Sequence, residues 1–414
     1  VRESLLQSCP SKTDLPRLLL LVGAGFFFIR LADFQSGLPK LALRFTLKND
    51  LHLSPSGLAV FVMVSSCAWY LKPLVGILSD SVPICGTRRR HYLLGSAFVA
   101  ALVWTLVALI PHGYFPLLAA CTTLSIALVI FQTTLGGVLV EQGQRLRATG
   151  RLASQRSVAI GAASLIAGPF GGLLAGFSFS TVATICASIS CVLALLFVAF
   201  FYEEPLSSEE RDIQSRLLEE IRALYRSPPT LIALTLWCFV TFCPGFKTPL
   251  FYYQTDTLSF SAQFIGWLNF VSGGCALLGG LAYAWLCRKR PLRFLLVAGV
   301  VLHASHVALY FGYRSHFSAI CIEGVAAFAN VLAFLPILDL VARATPQKAA
   351  ALGYALVFSL GNLSTTLSDI VGSWAWDSRG LNFMDLLWLN IGTTLLVFLL
   401  LPLVPAALTS STDG

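Results

Sequence analysis

Twelve stretches of about twenty apolar residues follow one another along this chain, more than a water-soluble core can bury. They run over 15–38, 55–78, 92–111, 114–140, 157–174 and 181–202, then 231–251, 264–286, 292–311, 317–340, 349–371 and 386–403. A helix needs about 20 residues to cross about 30 Å of hydrocarbon, and it satisfies its own backbone while doing so. Only 12% of the 414 residues are charged and 56% are hydrophobic, whereas soluble domains carry about 25% charged residues. The expectation is an all-α polytopic membrane protein with twelve transmembrane helices.

The charged residues that remain set the orientation. With the N-terminus inside, most of the 28 lysines and arginines fall on inner segments: the N-terminal tail, Arg88–Arg90, Arg145–Arg156, the central loop, Arg288–Arg293 and Arg343–Lys348. The outer loops and their margins keep mainly Arg44, Lys48, Arg314 and Arg379. Basic residues accumulate in cytoplasmic loops, so both termini are expected in the cytoplasm. The same bias accounts for the net charge of +8 without nucleic acid, since no basic stripe with interleaved aromatics occurs. The 11 cysteines lie mostly in apolar runs without CxxC or ligand-like spacing, and read as small core residues. No metal or cofactor is expected. The first apolar run is too long for a cleavable signal peptide and contains Arg30 and Asp33.

The longest polar segment, Glu203 to Pro229, divides the chain. Its apolar residues Ile213, Leu217, Leu218, Ile221 and Leu224 fall at helical spacing, which predicts an amphipathic helix along the cytoplasmic surface. The flanking halves echo each other. "GLPKLAL…LHLSPSGLAVF" opens the first and "FKTPLFYY…LSFSAQFIGWL" the second. Parallel six-helix repeats mark the major facilitator architecture. The organisation expected is a bundle over 1–202, a linker over 203–229 and a bundle over 230–414.

"KPLVGILSDSVPICGTRRR" follows the second segment. Lys72, Gly76 and Asp80 share one helix face, with Lys72 about 12 Å deeper than Asp80. Asp80 at the mouth can pair with Arg88, Arg89 or Arg90, a cluster able to latch two bundles in one state and release them in another. This stretch resembles the signature after helix two of major facilitator transporters. Extended to "KPLVGILSDSVPICGTRRRHYL", and taken with "LPILDLVARATP", "FYYQTDTLSFSAQFIGWLN" and the Val140–Glu141 pair, it resembles the folate–biopterin transporter family over most of the chain. The resemblance implies transport of folates, pterins or S-adenosylmethionine. Where that family usually carries aspartates in helix four, this chain has Gln132 and Gly136.

A charge at mid-bilayer costs about 2.5–3.5 kcal/mol on insertion scales, so intramembrane ionisable residues should face a cavity or one another. In this architecture helices one, four, seven and ten line the cavity. They supply Arg30, Asp33, Gln132, Lys247, Glu323 and Asn330 as candidate substrate ligands. Arg30 and Asp33 can also neutralise each other at i, i+3. Lys247 lies in "PGFKTP", where the helix is expected to be partly unwound. Glu323 is placed near the outer end of helix ten. Asp339 and Arg343 read as an ion pair or inner gate, alongside Lys72, Gly76, Asp80, Arg88, Arg89 and Arg90. Asp33 and Asp369 are the candidates for proton coupling, and Asp369 can pair with Lys72. His303 and His306 read as core or interface, and "GPFGGLLAG" as a close helix contact.

A pterin is flat with a donor–donor edge that a carboxylate can accept, and folate adds a tail with two negative charges suited to Arg30 or Lys247. The reading is a monomeric secondary transporter for a folate- or pterin-like solute, working by alternating access, with protons as the coupling ion. The same fold carrying S-adenosylmethionine, another nucleoside-like solute or a drug is the alternative, and a non-transporting receptor is a third. No nucleotide-binding loop or enzyme motif occurs. A bacterial inner membrane or plasma membrane is expected, with a plastid envelope as the alternative.

Overall fold

The computed structural model describes residues 14–146, 148–203, 222–224, 226–346 and 350–404. The expected amphipathic linker helix falls mostly outside the described residues, as does the side chain of Asp80. Among the described residues the chain is helical, with no strand and a lone bridge between Ile84 and Thr87.

The first apolar segment folds as α1 (Asp14–Leu31) and α2 (Pro39–Phe45), and the second as α3 (Pro55–Ser65), α4 (Cys67–Tyr70) and α5 (Lys72–Ser81). Then come α6 (Arg90–Leu109), α7 (Tyr114–Arg145), α8 (Thr149–Leu174) and α9 (Phe179–Phe200). The seventh segment is divided between α10 (Pro228–Thr241) and α11 (Lys247–Tyr252). The remainder are α12 (Ala262–Leu286), α13 (Leu292–Leu309), α14 (His316–Ala344), α15 (Ala350–Arg379) and α16 (Phe383–Leu395). Among the described residues, 8 helices are long and apolar enough to cross a bilayer. Large apolar side chains such as Leu20, Phe98, Phe170 and Leu281 point outward, as a lipid-facing surface requires. The protein is an integral membrane protein.

The first and seventh segments are broken for local reasons. Pro39 and Pro249 stand in the first turns of α2 and α11, where a missing N–H does no harm. Gly37 folds the chain back so tightly that a Cβ there would lie 2.3 Å from the Leu31 carbonyl oxygen. At the second break the freed backbone finds partners on neighbouring helices. Gly245 N–H donates to the Ser368 carbonyl (3.0 Å), Asn390 Nδ2 donates to the Pro244 carbonyl (2.9 Å), and Ser368 Oγ donates to the Cys243 carbonyl. Unpaired backbone at that depth would cost several kcal/mol per group.

The repeat is visible in the backbone. Each short helix runs into a π-helical turn, Thr46–Asp50 and Tyr253–Thr257. Each turn is followed by a non-glycine residue at positive φ, His52 (52°) and Ser259 (54°). Each then meets a serine N-cap: Ser54 accepts from Gly57 N–H at 3.3 Å and Ser261 from Phe264 N–H at 3.2 Å. All these pairs are separated by 207 residues, the interval between Lys48 and Thr255, which bond to each other.

The halves meet along two seams. The α8–α12 seam is backbone against backbone, because a Cβ on Gly266 would lie 2.5 Å from the Gly168 carbonyl oxygen and 2.9 Å from Gly172 Cα. This is the close packing that "GPFGGLLAG" predicts. Helix α15 packs against α3, α4 and α5 to form the other seam. At the ends carrying the π-turns, Lys48 pairs with Asp256, Tyr252 donates to the Leu53 carbonyl, and Ser56 N–H donates to Asp377 Oδ2 (2.7 Å).

Candidate functional site

The breaks open onto a cavity of about 420 Å³ between the halves. The short helix α2 projects Lys40 and Arg44, one turn apart, into it, and the first residue of α11 projects Lys247. Lys40 and Lys247 are equivalent in the repeat, being separated by the same interval as Lys48 and Thr255. Lys40 Nζ donates to Asn269 Oδ1 at 3.0 Å, and the Arg44 guanidinium lies 5.5 Å from the Phe251 ring centre. Lys247 makes no ion pair among the described residues and is exposed to the hollow itself. The three cations lie within electrostatic reach of one another, with Arg30 also close to both lysines.

Glu323 is the one acid among the described lining residues. It accepts from Ser272 Oγ–H at 3.0 Å and from Tyr313 O–H at 3.3 Å. Asn330, His303 and His306 also face the cavity, as do the rings of Phe246, Tyr310 and Phe334. His303 and His306, expected as core or interface residues, are buried and also border the hollow. Glu323, expected near the outer end of its helix, reaches the same space.

Other expected ligands sit elsewhere. Arg30, Asp33 and Gln132 are outside the lining. Asp33 is only 2% exposed and holds the first break together. It accepts from Gln35 N–H at 3.0 Å and from Ser36 Oγ–H, and it faces Arg30 at 3.6 Å. Arg30 Nε in turn donates to Ser164 Oγ at 3.1 Å. Asp369 does the corresponding work at the second break, accepting from Thr248 N–H at 2.9 Å and Thr248 Oγ–H at 2.6 Å. The N–H groups in the first turn of a helix have no partner within it, and Asp369 fills that need from α15. The expected Asp369–Lys72 pair is not formed, and Lys72 lies 5.6 Å from the Trp69 ring centre.

The basic cluster is anchored within the first half. Ile84 and Thr87 close a tight turn over Cys85 (φ 48°) and Gly86 (φ 78°). The Glu203 carboxylate then accepts from the backbone N–H groups of Arg88 (3.2 Å), Arg89 (2.9 Å) and Arg90 (2.6 Å). Arg89 also pairs with Glu141 at 3.2 Å, its guanidinium seated where a Cβ on Gly137 would intrude. Gly76 faces Thr133 of α7. Arg343 grips Asp339 through Nε (3.0 Å) and Nη2 (3.1 Å), and Tyr283 O–H donates to the same carboxylate at 3.3 Å.

Sequence reasoning missed Lys40, and it assigned Arg44 to the outer margin. Both misreadings arise at the first break, where the apolar run pauses and the membrane segment looks finished. The available signal was "PKLALRF", a proline restart followed by two cations at i, i+4 on one face.

The fold matches solved transporters. The nucleoside transporter NupG superposes with a TM-score of 0.71 over 94% of this chain and 99% of its own, at 15% identity. The peptide transporter POT does so with a TM-score of 0.71 over 95% and 96%, at 12% identity. These establish a major facilitator-type fold. A folate-biopterin transporter of Synechocystis is 30% identical over 396 residues, 89% of this chain and 79% of the relative. Folate transporter 2 of Plasmodium falciparum is 25% identical over 413 residues, 92% and 87% of the two chains. The BT1 family model matches residues 34–411. With sequence and fold in agreement, the chain belongs to the BT1 family and is a membrane transporter, not an enzyme.

Proposed function

We propose that the protein carries a folate- or pterin-like metabolite, bound in the central cavity and released by alternating access as the halves rock about their two seams. The observation that carries this reading is the charge of the lining. Lys40, Arg44 and Lys247 face Glu323 alone among the described lining residues. A desolvated cluster of that kind attracts an anion, such as the two carboxylates of folate, and repels a cation such as S-adenosylmethionine. Tyr310, Phe246 and Phe334 offer ring faces for a flat pterin. The relatives' names, folate and folate-biopterin transporters, support the same cargo.

In this reading 1–202 and 230–414 are the moving bundles and 203–229 the tether of a monomeric carrier with both termini in the cytoplasm. The Arg88–Arg90 loop, with Lys72, Gly76 and Asp80, and the Asp339–Arg343 pair are the inner gating elements. Protons are the coupling ion; the sequence alone points to Asp33 and Asp369 as the acids that carry them. The membrane is a bacterial inner or plasma membrane, or a plastid envelope.

Uptake of labelled folate, biopterin and S-adenosylmethionine into proteoliposomes tests the proposal. Folate uptake above that of empty liposomes is expected, with S-adenosylmethionine excluded. Uptake of S-adenosylmethionine alone, or of nothing, overturns it.

A further inference from the structure

We propose that Glu323 carries the coupling proton, and that its charge competes with the cargo's carboxylate for Lys40. This rests on the transport reading above and moves coupling away from Asp33 and Asp369.

Asp33, Asp369 and Glu323 differ in their partners and their access. Asp33 and Asp369 each accept a backbone N–H, from Gln35 and Thr248. A backbone N–H can only donate, so each of these acids is fixed in place by a donor that cannot turn. Asp33 has the Arg30 guanidinium as well. Neither acid lines the cavity, and both fasten a helix break. Glu323 accepts from the hydroxyls of Ser272 and Tyr313, and the Tyr310 hydroxyl also reaches it. A hydroxyl can turn from donor to acceptor, so this site accommodates the carboxylate and the carboxylic acid alike. It also opens to the cavity, where a proton can arrive through water.

The groups facing Glu323 make its charge matter. From α2 comes Lys40, within electrostatic reach, with Arg44 and the α11 residue Lys247 beyond it. From α12 come Ser272 and Asn269, and Asn269 also holds Lys40. Tyr310 and Tyr313 lie at the end of α13, with Gln254 bonded to Tyr313 at 2.6 Å. His303 and His306 border the same space. While Glu323 is ionised it offsets part of the Lys40 charge. Once Glu323 takes up a proton, the cavity gains a full positive charge and the cargo's carboxylate meets Lys40 without a rival. Proton and anion therefore bind together, which is the requirement for symport.

The test is folate flux in proteoliposomes for wild type, Glu323→Gln and Glu323→Asp, measured as uphill accumulation under a pH gradient and as exchange at equal pH. For wild type, accumulation and an exchange affinity that tightens several-fold on acidification are expected. Glu323→Gln is expected to abolish accumulation and flatten the pH dependence, while exchange continues at a reduced rate. Glu323→Asp is expected to retain accumulation. Gradient-driven accumulation by Glu323→Gln, or loss of exchange at every pH in both variants, overturns the assignment. Wild-type exchange without any response to the gradient overturns proton coupling, and absence of wild-type exchange overturns the transport reading itself.

Discussion

Lys40 and Lys247 hold the same place in the two halves of the repeat and line one cavity. Two cations so placed are held apart by the fold, and an anion between them relieves both at once. Replacing either with methionine keeps its length and removes its charge. Each single variant is expected to raise KM for folate at least tenfold, a loss of about 1.4 kcal/mol. KM for uncharged biopterin should change much less. Concentration-dependent uptake of both solutes checks this.

Asp369 is expected to matter for stability more than for coupling. Asp369→Leu leaves Thr248 N–H and Oγ–H without their acceptor. Hydrogen bonds to a charged group are worth about 1.5–3 kcal/mol. Thermal unfolding of the purified protein should show a lowered midpoint, whereas the milder Asp369→Asn should still accumulate folate under a pH gradient. Lost coupling in Asp369→Asn with unchanged stability would contradict this.

Gly266 sets the distance between the halves at the α8–α12 seam. Its would-be Cβ neighbours are backbone atoms, 2.5 Å away at the Gly168 carbonyl oxygen, and backbone cannot rotate aside. Gly266→Leu is expected to force the helices apart, destabilising the protein by about 1–3 kcal/mol, in the range of overpacked cores. Gly274 has open space where a Cβ would stand, so Gly274→Ala on the same helix is the control expected to unfold like wild type.

Lys48 ties the π-turn ends together through Thr255, Asp256 and a ring contact with Tyr252 at 4.9 Å. Lys48→Ala is expected to let that side open more often. Spin labels at the exposed positions Asn49 and Thr257 should report a distribution broadened toward longer distances. An unchanged distribution would show that the seams alone keep this side shut.

The helical segments were legible because hydrophobic length is a strong, local signal. The basic loop motif was legible because glycine, acid and arginines keep a fixed spacing. The repeat was legible in its turn chemistry, at Ser54 and Ser261. What sequence could not show was which polar residues meet. Asp33 looked like a cavity acid because it is a lone charge in an apolar run, yet its partners, Gln35 and Ser36, sit beside it in a turn that only the folded backbone forms. Glu203 resembled linker sequence, and its grip on three arginine N–H groups depends on the end of α9 meeting the start of α6. Lys40 was hidden by the helix break that aims it inward.

Direct binding of folate to the purified protein, compared between wild type and the Lys40→Met/Lys247→Met double variant, tests the cationic cavity most simply. Saturable binding by wild type, weakened by at least a hundredfold in a double variant that unfolds at the same temperature, is the predicted result. Equal affinity in the two proteins would contradict it.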